Sequence, residues 1–525
     1  MAFAMLRGAD NLSLLAGGRA GFQGLAARIV RSARWHVNRS LFLSAKRCAR
    51  MKVPSPDDEA SFRAHGNQYR IPNVYLPEGS FPMKVIPADP RFDSTLALYR
   101  EGYLFLSNAR KRLESDIVSC RLLYLNPVCM GGPDAARLFF DARHFRRRNV
   151  APSRIRKTLL GEGGIHGLDG EPHRHRKAFY LDIMGPHRLG PFIAIMETHW
   201  KRAVAEWPLR QQIKLFEEAQ TILCGAVCAW AGIPLAKEEV AQRAGDLTAL
   251  VDAFGGTGWR NWRGRLARWR SEKWMRDILQ DVRTGKLAAD PALPLHAIAH
   301  HRDERGLPLA IKVAAVELLN VIRPMMAAAY FIELAAAAMA LRPSLKENIL
   351  ADGEYADCFV QEVRRFCAFT PFLGAESCQE ILWQGYRIPK ETLVLLDVYG
   401  IHHDNRIWDN PHLFDPDRFR YRRDHAFDLI PQGGGDHATG HRCAGEWLTV
   451  ETIKIAARQL AGLSWDASVS NLSFRLDRIP ARLANEVTLT VSPRTRAITM
   501  GKTDKAAANQ GKSLGEHGGH NAACS

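Results

Sequence analysis

Phe427-Asp428-Leu429-Ile430-Pro431-Gln432-Gly433-Gly434-Gly435-Asp436-His437-Ala438-Thr439-Gly440-His441-Arg442-Cys443-Ala444-Gly445-Glu446 decides how the rest of this 525-residue chain is read. An apolar run gives way to a glycine-rich loop, the loop ends in a single cysteine, and a helical pattern (447–460) follows. Glycines let the backbone approach a flat ligand closely. A cysteine at a helix N-terminus has a depressed pKa and favours thiolate. His441 and Arg442 add positive charge suited to carboxylate groups. Alone, such a loop is a weak sign of function.

Three companions strengthen it. Glu362-Val363-Arg364-Arg365 puts Glu362 and Arg365 three residues apart, able to pair on one helix face. Phe414-Asp415-Pro416-Asp417-Arg418-Phe419 follows and offers Arg418 to that pair. Upstream, His173 and Lys177 form an i,i+4 cationic pair. A further feature is a helix predicted from about Leu309 to Leu341, spanning about 50 Å. Its middle carries Arg323-Pro324. A mid-helix proline removes a hydrogen bond and costs about 3 kcal/mol or more. An arginine between Val321, Ile322, Met325 and Met326 is expensive to bury without a partner. Taken alone, this reads equally as a kinked surface helix whose arginine reaches water.

Together these motifs resemble the cytochrome P450 superfamily. The resemblance implies a mainly α fold with small β-sheets, a single domain whose long central helix lies over a haem. It implies haem b with Cys443 as axial iron ligand. It implies His173, Lys177, His441, Gln432 and Gly435 at the cofactor, the cations holding its propionates. Glu362, Arg365 and Arg418 become the structural triad.

In ordinary members the centre of the long helix carries an acid followed by an alcohol that relay protons to dioxygen. Arg323-Pro324 stands there instead. Arginine keeps its proton and proline has no polar side chain, but a guanidinium binds carboxylates, often bidentately. With Glu101–Phe105, Val251–Gly255, Phe359–Arg365, Pro371–Ala375 and Pro431–Gly435, the chain resembles the fatty-acid peroxygenase branch over roughly 90–495. That implies hydroxylation of the α or β carbon of a long-chain fatty acid by hydrogen peroxide, with no obligatory redox partner. Arg323, Pro324 and His166 are the implied catalytic residues, and Arg323, Leu160, Phe369 and Phe372 the substrate contacts. His166 stands where hydroxylating members typically carry Gln and olefin-forming decarboxylases His, which opens a route to terminal alkenes. The alternative is an imidazole that only fills the space of that Gln. Leu160, where olefin-forming relatives have Phe, weakens the decarboxylase case. Two other readings are a reductase-dependent monooxygenase on another carboxylate and a non-catalytic haem- or lipid-binding protein.

Composition bounds these readings. With 46% apolar and 24% charged residues the chain is an ordinary globular protein. The net charge of +17 is uneven: residues 1–50 hold eight Arg and one Lys against Asp10. A nucleic-acid reading leans on that segment alone, and none is expected. Ten cysteines without a CxxC pair fit a reduced compartment. We expect a cytoplasmic protein, with organelle targeting left open by the Arg-rich start. Residues 1–85 read as a poorly ordered extension, 90–496 as the catalytic domain and 497–525 as a flexible tail. Short apolar runs at Tyr103–Leu106, Cys120–Leu125, 394–398 and 487–491 read as strand-like. Trp259–Arg276 carries four Trp, six Arg and Lys273. It reads as a solvated helix face with Trp packed inward, and peripheral membrane contact is the most it implies.

Overall fold

The computed structural model describes residues 83–422 and 426–492. The readings of the N-terminal extension (apart from 83–85) and of the tail lie outside the described residues. Helices dominate. They include α1 (Gly170–Met184), α2 (Val240–Asp252), α3 (Trp259–Arg283), α4 (Ile311–Ile322), α5 (Ala328–Leu341), α6 (Gly353–Phe366) and α7 (Glu446–Ala461). Around α4 and α5 one large apolar core gathers residues from Leu159 to Val491.

The expectation of one continuous helix from 309 to 341 is corrected at its centre. Pro324 has no N–H, and its ring clashes with the carbonyl four residues back. The chain relieves this with a tight 3-10 turn over Arg323–Ala327 between α4 and α5. The alternative of a surface helix is overturned, because α4 and α5 are almost wholly buried and Arg323 is 5% exposed. By length and composition alone Ile311–Leu341 is apolar enough to cross a bilayer, but 78% of its most apolar 18-residue window is buried inside the protein.

The main sheet has five short strands in the order Ile117–Ser119, Val128–Met130, Leu393–Asp397, Phe372–Ser377, Phe145–Arg146. Val128–Met130 runs parallel to Leu393–Asp397 with Val128 opposite Val394; the other pairs are antiparallel. Thr488–Val491 pairs with Ile213–Lys214 and Trp465–Ala467 in a second sheet. A hairpin joins Ile381–Trp383 to Tyr386–Ile388 through Gln384-Gly385, both at positive φ, as a twisted two-residue turn requires.

The strand-like runs at 394–398 and 487–491 lie on real strands. Tyr103–Leu106 does not: it joins a 3-10 turn to the helix Phe105–Arg112. There Tyr103 donates to the Phe369 carbonyl at 2.7 Å, and long-range anchoring overrides a short apolar run. Cys120–Leu125 follows the strand Ile117–Ser119 as a turn closed between Leu122 and Leu125. The largest correction concerns α3. Trp259, Trp262 and Trp269 point outward, 77%, 66% and 61% exposed, and only Trp274 packs against the core. Small residues, Gly264, Ala267 and Ser271, occupy the buried face instead.

Candidate functional site

The glycine-rich loop is held open and held still. Gly433 and Gly435 adopt φ of +90° and +74°. A Cβ on Gly434 would sit 2.7 Å from both the Ala426 carbonyl and the Phe140 ring, so only glycine passes there. The Cys443 N–H donates to the Gln432 carbonyl at 2.9 Å, closing the loop three residues before α7. Ile430 N–H donates to His402 Nε2 at 2.9 Å. An accepting nitrogen requires neutral imidazole, and burial drives the pKa of His402 well down.

Below the loop, Glu362 and Arg365 are fully buried and doubly bonded, at 2.7 and 2.8 Å. Arg418 Nε stands 3.2 Å from Glu362, and Asp415 N–H donates to Glu362 at 2.8 Å. Arg365 also donates to the carbonyls of His402 and Pro411. The three residues read from sequence as a triad are therefore one unit, and it fixes the chain leading to Cys443. Gln432, expected at the cofactor, has both ends of its amide bonded to protein. Its amide accepts from Arg364 at 2.9 Å and donates to Thr449 at 3.0 Å, so it braces the loop against α6 and α7. Arg442 turns to Glu446 at 2.7 Å.

The Cys443 thiol departs from expectation. Burial, the largest influence, pushes its pKa up, while the Gly445 N–H and the charges of Lys177 and Arg364 pull it back.

On one flank, His173 stacks on His441 at 3.9 Å, and His441 contacts Asp169 Oδ1 at 3.2 Å. Lys177 donates to the Arg442 carbonyl. Arg147, which sequence reading missed, donates to the Gly374 carbonyl. Burial lowers the pKa of all four, that of His173 to about 3 and that of Arg147 to about 10. Asp169 is the carboxylate that faces His173, His441 and Arg147, while Lys177 feels Asp436 and Glu446.

On the other flank, Arg323 leads the tight turn after α4. Its Nη2 donates to Asn320 Oδ1 at 3.1 Å, and its Nε makes no hydrogen bond among the described residues. Burial and the charge of Arg268 push its pKa down to about 9. Asn320 Nδ2 donates to Glu317 Oε2 at 3.2 Å, and Tyr180 donates to the same carboxylate at 2.8 Å. Arg176 pairs with Glu317 inside the core, and Ile165 N–H donates to it at 3.0 Å. Glu317 thus ties the arginine's helix to the loop bearing His166. That imidazole is reached by solvent yet enclosed by the chain, with its pKa lowered to about 3 by burial, then by Arg323, His441 and Arg268.

Sequence reading missed Glu317 and Asn320. Their signal was visible as polar residues at i−6 and i−3 from Arg323 within an apolar helix. Of the other expected contacts, Phe369 stacks on Phe254 at 5.8 Å, and both Phe369 and Leu160 pack against the large core. Phe372 does not join them. It packs with Phe105, Leu106 and Leu395 in a satellite cluster, where its strand position directs it.

This arrangement is similar to solved proteins over nearly their whole length. The cytochrome P450 family model matches residues 335–459, which hold Glu362, Arg365 and Cys443. Cytochrome P450SP alpha (CYP152B1), in complex with (R)-ibuprophen, is 40% identical with a TM-score of 0.73, covering 76% of this chain and 98% of that one. The chain belongs to the cytochrome P450 family. Two further P450 structures are similar: a point variant of OleT in complex with arachidonic acid, 32% identical, TM-score 0.75, covering 78% of this chain and 98% of that one; and P450EX alpha (CYP152N1) with myristic acid, 38% identical, TM-score 0.73, with the same coverages. The chain spans only 21% and 22% of the first two curated relatives it matches.

A P450 is a haem-thiolate oxidoreductase, and the residues present fit that group. The glycine cradle admits a flat macrocycle beside Cys443. The basic cluster of His173, Lys177, His441 and Arg147 suits the two propionates.

Proposed function

We propose that this P450 is a hydrogen-peroxide-dependent hydroxylase of long-chain fatty acids, acting at the α or β carbon, with terminal alkenes as a second product. The observation that carries this reading is the guanidinium of Arg323, buried in the tight turn between α4 and α5, without an ion pair to a carboxylate among the described residues and near enough to Cys443 to feel its charge. An uncompensated cation in a dry site is stabilised by an anionic ligand, and the fork of Arg suits a carboxylate. The similarity to P450 structures holding arachidonic and myristic acid supports the same ligand class.

In this reading Cys443 ligates the iron of haem b, and His173, Lys177, His441 and Arg147 hold its propionates. Haem with peroxide supplies the oxidising chemistry, inserting one oxygen atom into a C–H bond and releasing water. The chain's own residues set where and how. Asn320 fixes the guanidinium, and the guanidinium fixes the acid by its carboxylate, so the first carbons after it are the ones held in reach. Phe369 and Phe254 offer apolar walls to the alkyl chain. Pro324 has no proton to give, so the bound carboxylate itself takes and returns the proton. His166, neutral and near Arg323, donates a hydrogen bond to that carboxylate and biases the outcome toward loss of CO₂. Peroxide already stands two electrons below dioxygen, so no redox partner is required to deliver them. The setting is the cytoplasm.

The test is turnover of haem-loaded protein with long-chain acids and hydrogen peroxide alone, products identified by mass spectrometry. Hydroxy acids or alkenes without any reductase are expected. Product only with NAD(P)H and electron-transfer proteins would overturn the reading.

A further inference from the structure

The outward face of α3 has no role in the site described above. Trp259, Trp262, Leu266 and Trp269 recur at intervals of 3, 4 and 3 residues, so they form one stripe along the helix. All four are more than half exposed, Leu266 by 53%. The stripe runs about 15 Å at 1.5 Å per residue. Scattered exposed apolar residues need no explanation, but a contiguous aromatic stripe marks an interaction site.

The charges on α3 sort by face. Arg260 is committed to Asp252, Arg268 to Glu272 and the Leu159 carbonyl, and Arg270 to Asp246. The outward cations are looser. Arg265 bonds Asn261 at 3.2 Å, lies 5.8 Å from the Trp262 ring, and makes no ion pair among the described residues. Arg263 stands 3.7 Å from Asp252, and Lys273 pairs with exposed Asp277. Cations therefore flank the rings.

We propose that this face of α3 docks onto an anionic lipid bilayer, the helix lying in the interface plane. Tryptophan combines an apolar body with an N–H and suits the boundary between headgroups and acyl chains. Arg and Lys beside it are complementary to anionic headgroups. The stripe also adjoins the interior: Trp259 directly follows Gly258 (φ +55°), and the same loop carries Phe254, stacked on Phe369. A docked protein thus presents that loop to the lipid phase. The proposal goes beyond the catalytic reading and stands whether or not fatty acids are the substrate.

The experiment uses the full-length, haem-loaded protein without fatty acid. It is mixed with vesicles of phosphatidylcholine alone or with added phosphatidylglycerol, and partitioning is read by co-sedimentation and tryptophan emission. Binding to the anionic vesicles with a blue shift, weakened by salt, is expected. The triple variant Trp262→Ser, Leu266→Ser, Trp269→Ser is expected to lower partitioning by about tenfold or more while leaving the haem spectrum unchanged. Arg265→Glu with Lys273→Glu is expected to lose the preference for anionic vesicles. Three results would overturn the proposal. Wild type fails to bind, or the triple variant binds equally well, which assigns binding to another segment such as basic residues 1–50. Alternatively, sedimentation velocity shows a dimer that the triple variant dissolves, which assigns the face to a second copy.

Discussion

Asn320 and Arg323 stand one helical turn apart, and the amide oxygen of the first accepts the Nη2 hydrogen of the second at 3.1 Å. The amide nitrogen of Asn320 is committed in turn to Glu317. The guanidinium is therefore aimed by a chain of buried polar groups, with its orientation set before any ligand arrives.

Removing the middle of that chain separates aim from charge. A hydrogen bond to a charged group contributes about 1.5–3 kcal/mol. Asn320→Leu is expected to weaken binding of a fatty acid by roughly tenfold or more, read by titrating the haem absorbance. Binding of the matching primary alcohol should barely change. Equal losses for both ligands would mean that Asn320 shapes the pocket without aiming the guanidinium.

Glu317 carries more structural weight. It is fully buried and takes bonds from Arg176, Tyr180, Asn320 and the Ile165 N–H. Glu317→Gln leaves the Arg176 cation buried without its counter-charge. Breaking a buried pair this way costs about 3–5 kcal/mol. A fall in the urea midpoint of the haem-loaded protein, with unchanged slope, is the expected result.

Acid destabilises this fold through histidines that must stay neutral. The pKa of His402 lies well below its ordinary value, from burial and then the charge of His403; that of His403 is lowered to about 3 by burial and then Arg365. In the unfolded chain both return to about 6.5. Between pH 6.5 and 3 the unfolded state binds more protons, so stability is full above 6.5 and declines as pH falls through that window. Urea midpoints at pH 7.5, 6 and 5 should decrease in that order. A flat series would contradict the buried neutral assignment.

Product choice should respond to His166. His166→Gln keeps a hydrogen-bond donor but removes the imidazole. The alkene share of the products is expected to fall severalfold and the hydroxy-acid share to rise, with acid affinity changed little. An unchanged ratio by mass spectrometry would reduce His166 to a space-filler.

The parts of the site legible in the sequence are those governed by local spacing. Glu362 and Arg365 at i,i+3, the glycines before Cys443, and Arg323-Pro324 inside an apolar helix each state their chemistry within a few residues. What was not legible depends on long-range packing. Glu317 and Asn320 carried a visible polar spacing, but Arg176 and Tyr180 come from α1, more than 130 residues away. The α3 tryptophans failed differently. Their spacing gives an apolar stripe, and the same stripe fits a buried face or an exposed one; the small residues opposite decided it. Phe372 was placed with Phe369 among the substrate contacts by the family resemblance, while the two side chains pack in different clusters.

The most direct measurement compares myristic acid with the primary alcohol of the same length, titrated into haem-loaded wild type and Arg323→Ala. Anchoring by the guanidinium predicts that wild type binds the acid at least about a hundredfold more tightly than the alcohol, and that the variant loses this preference while still binding the alcohol. A wild type indifferent to the carboxylate, or a variant that keeps the full preference for the acid, would contradict it.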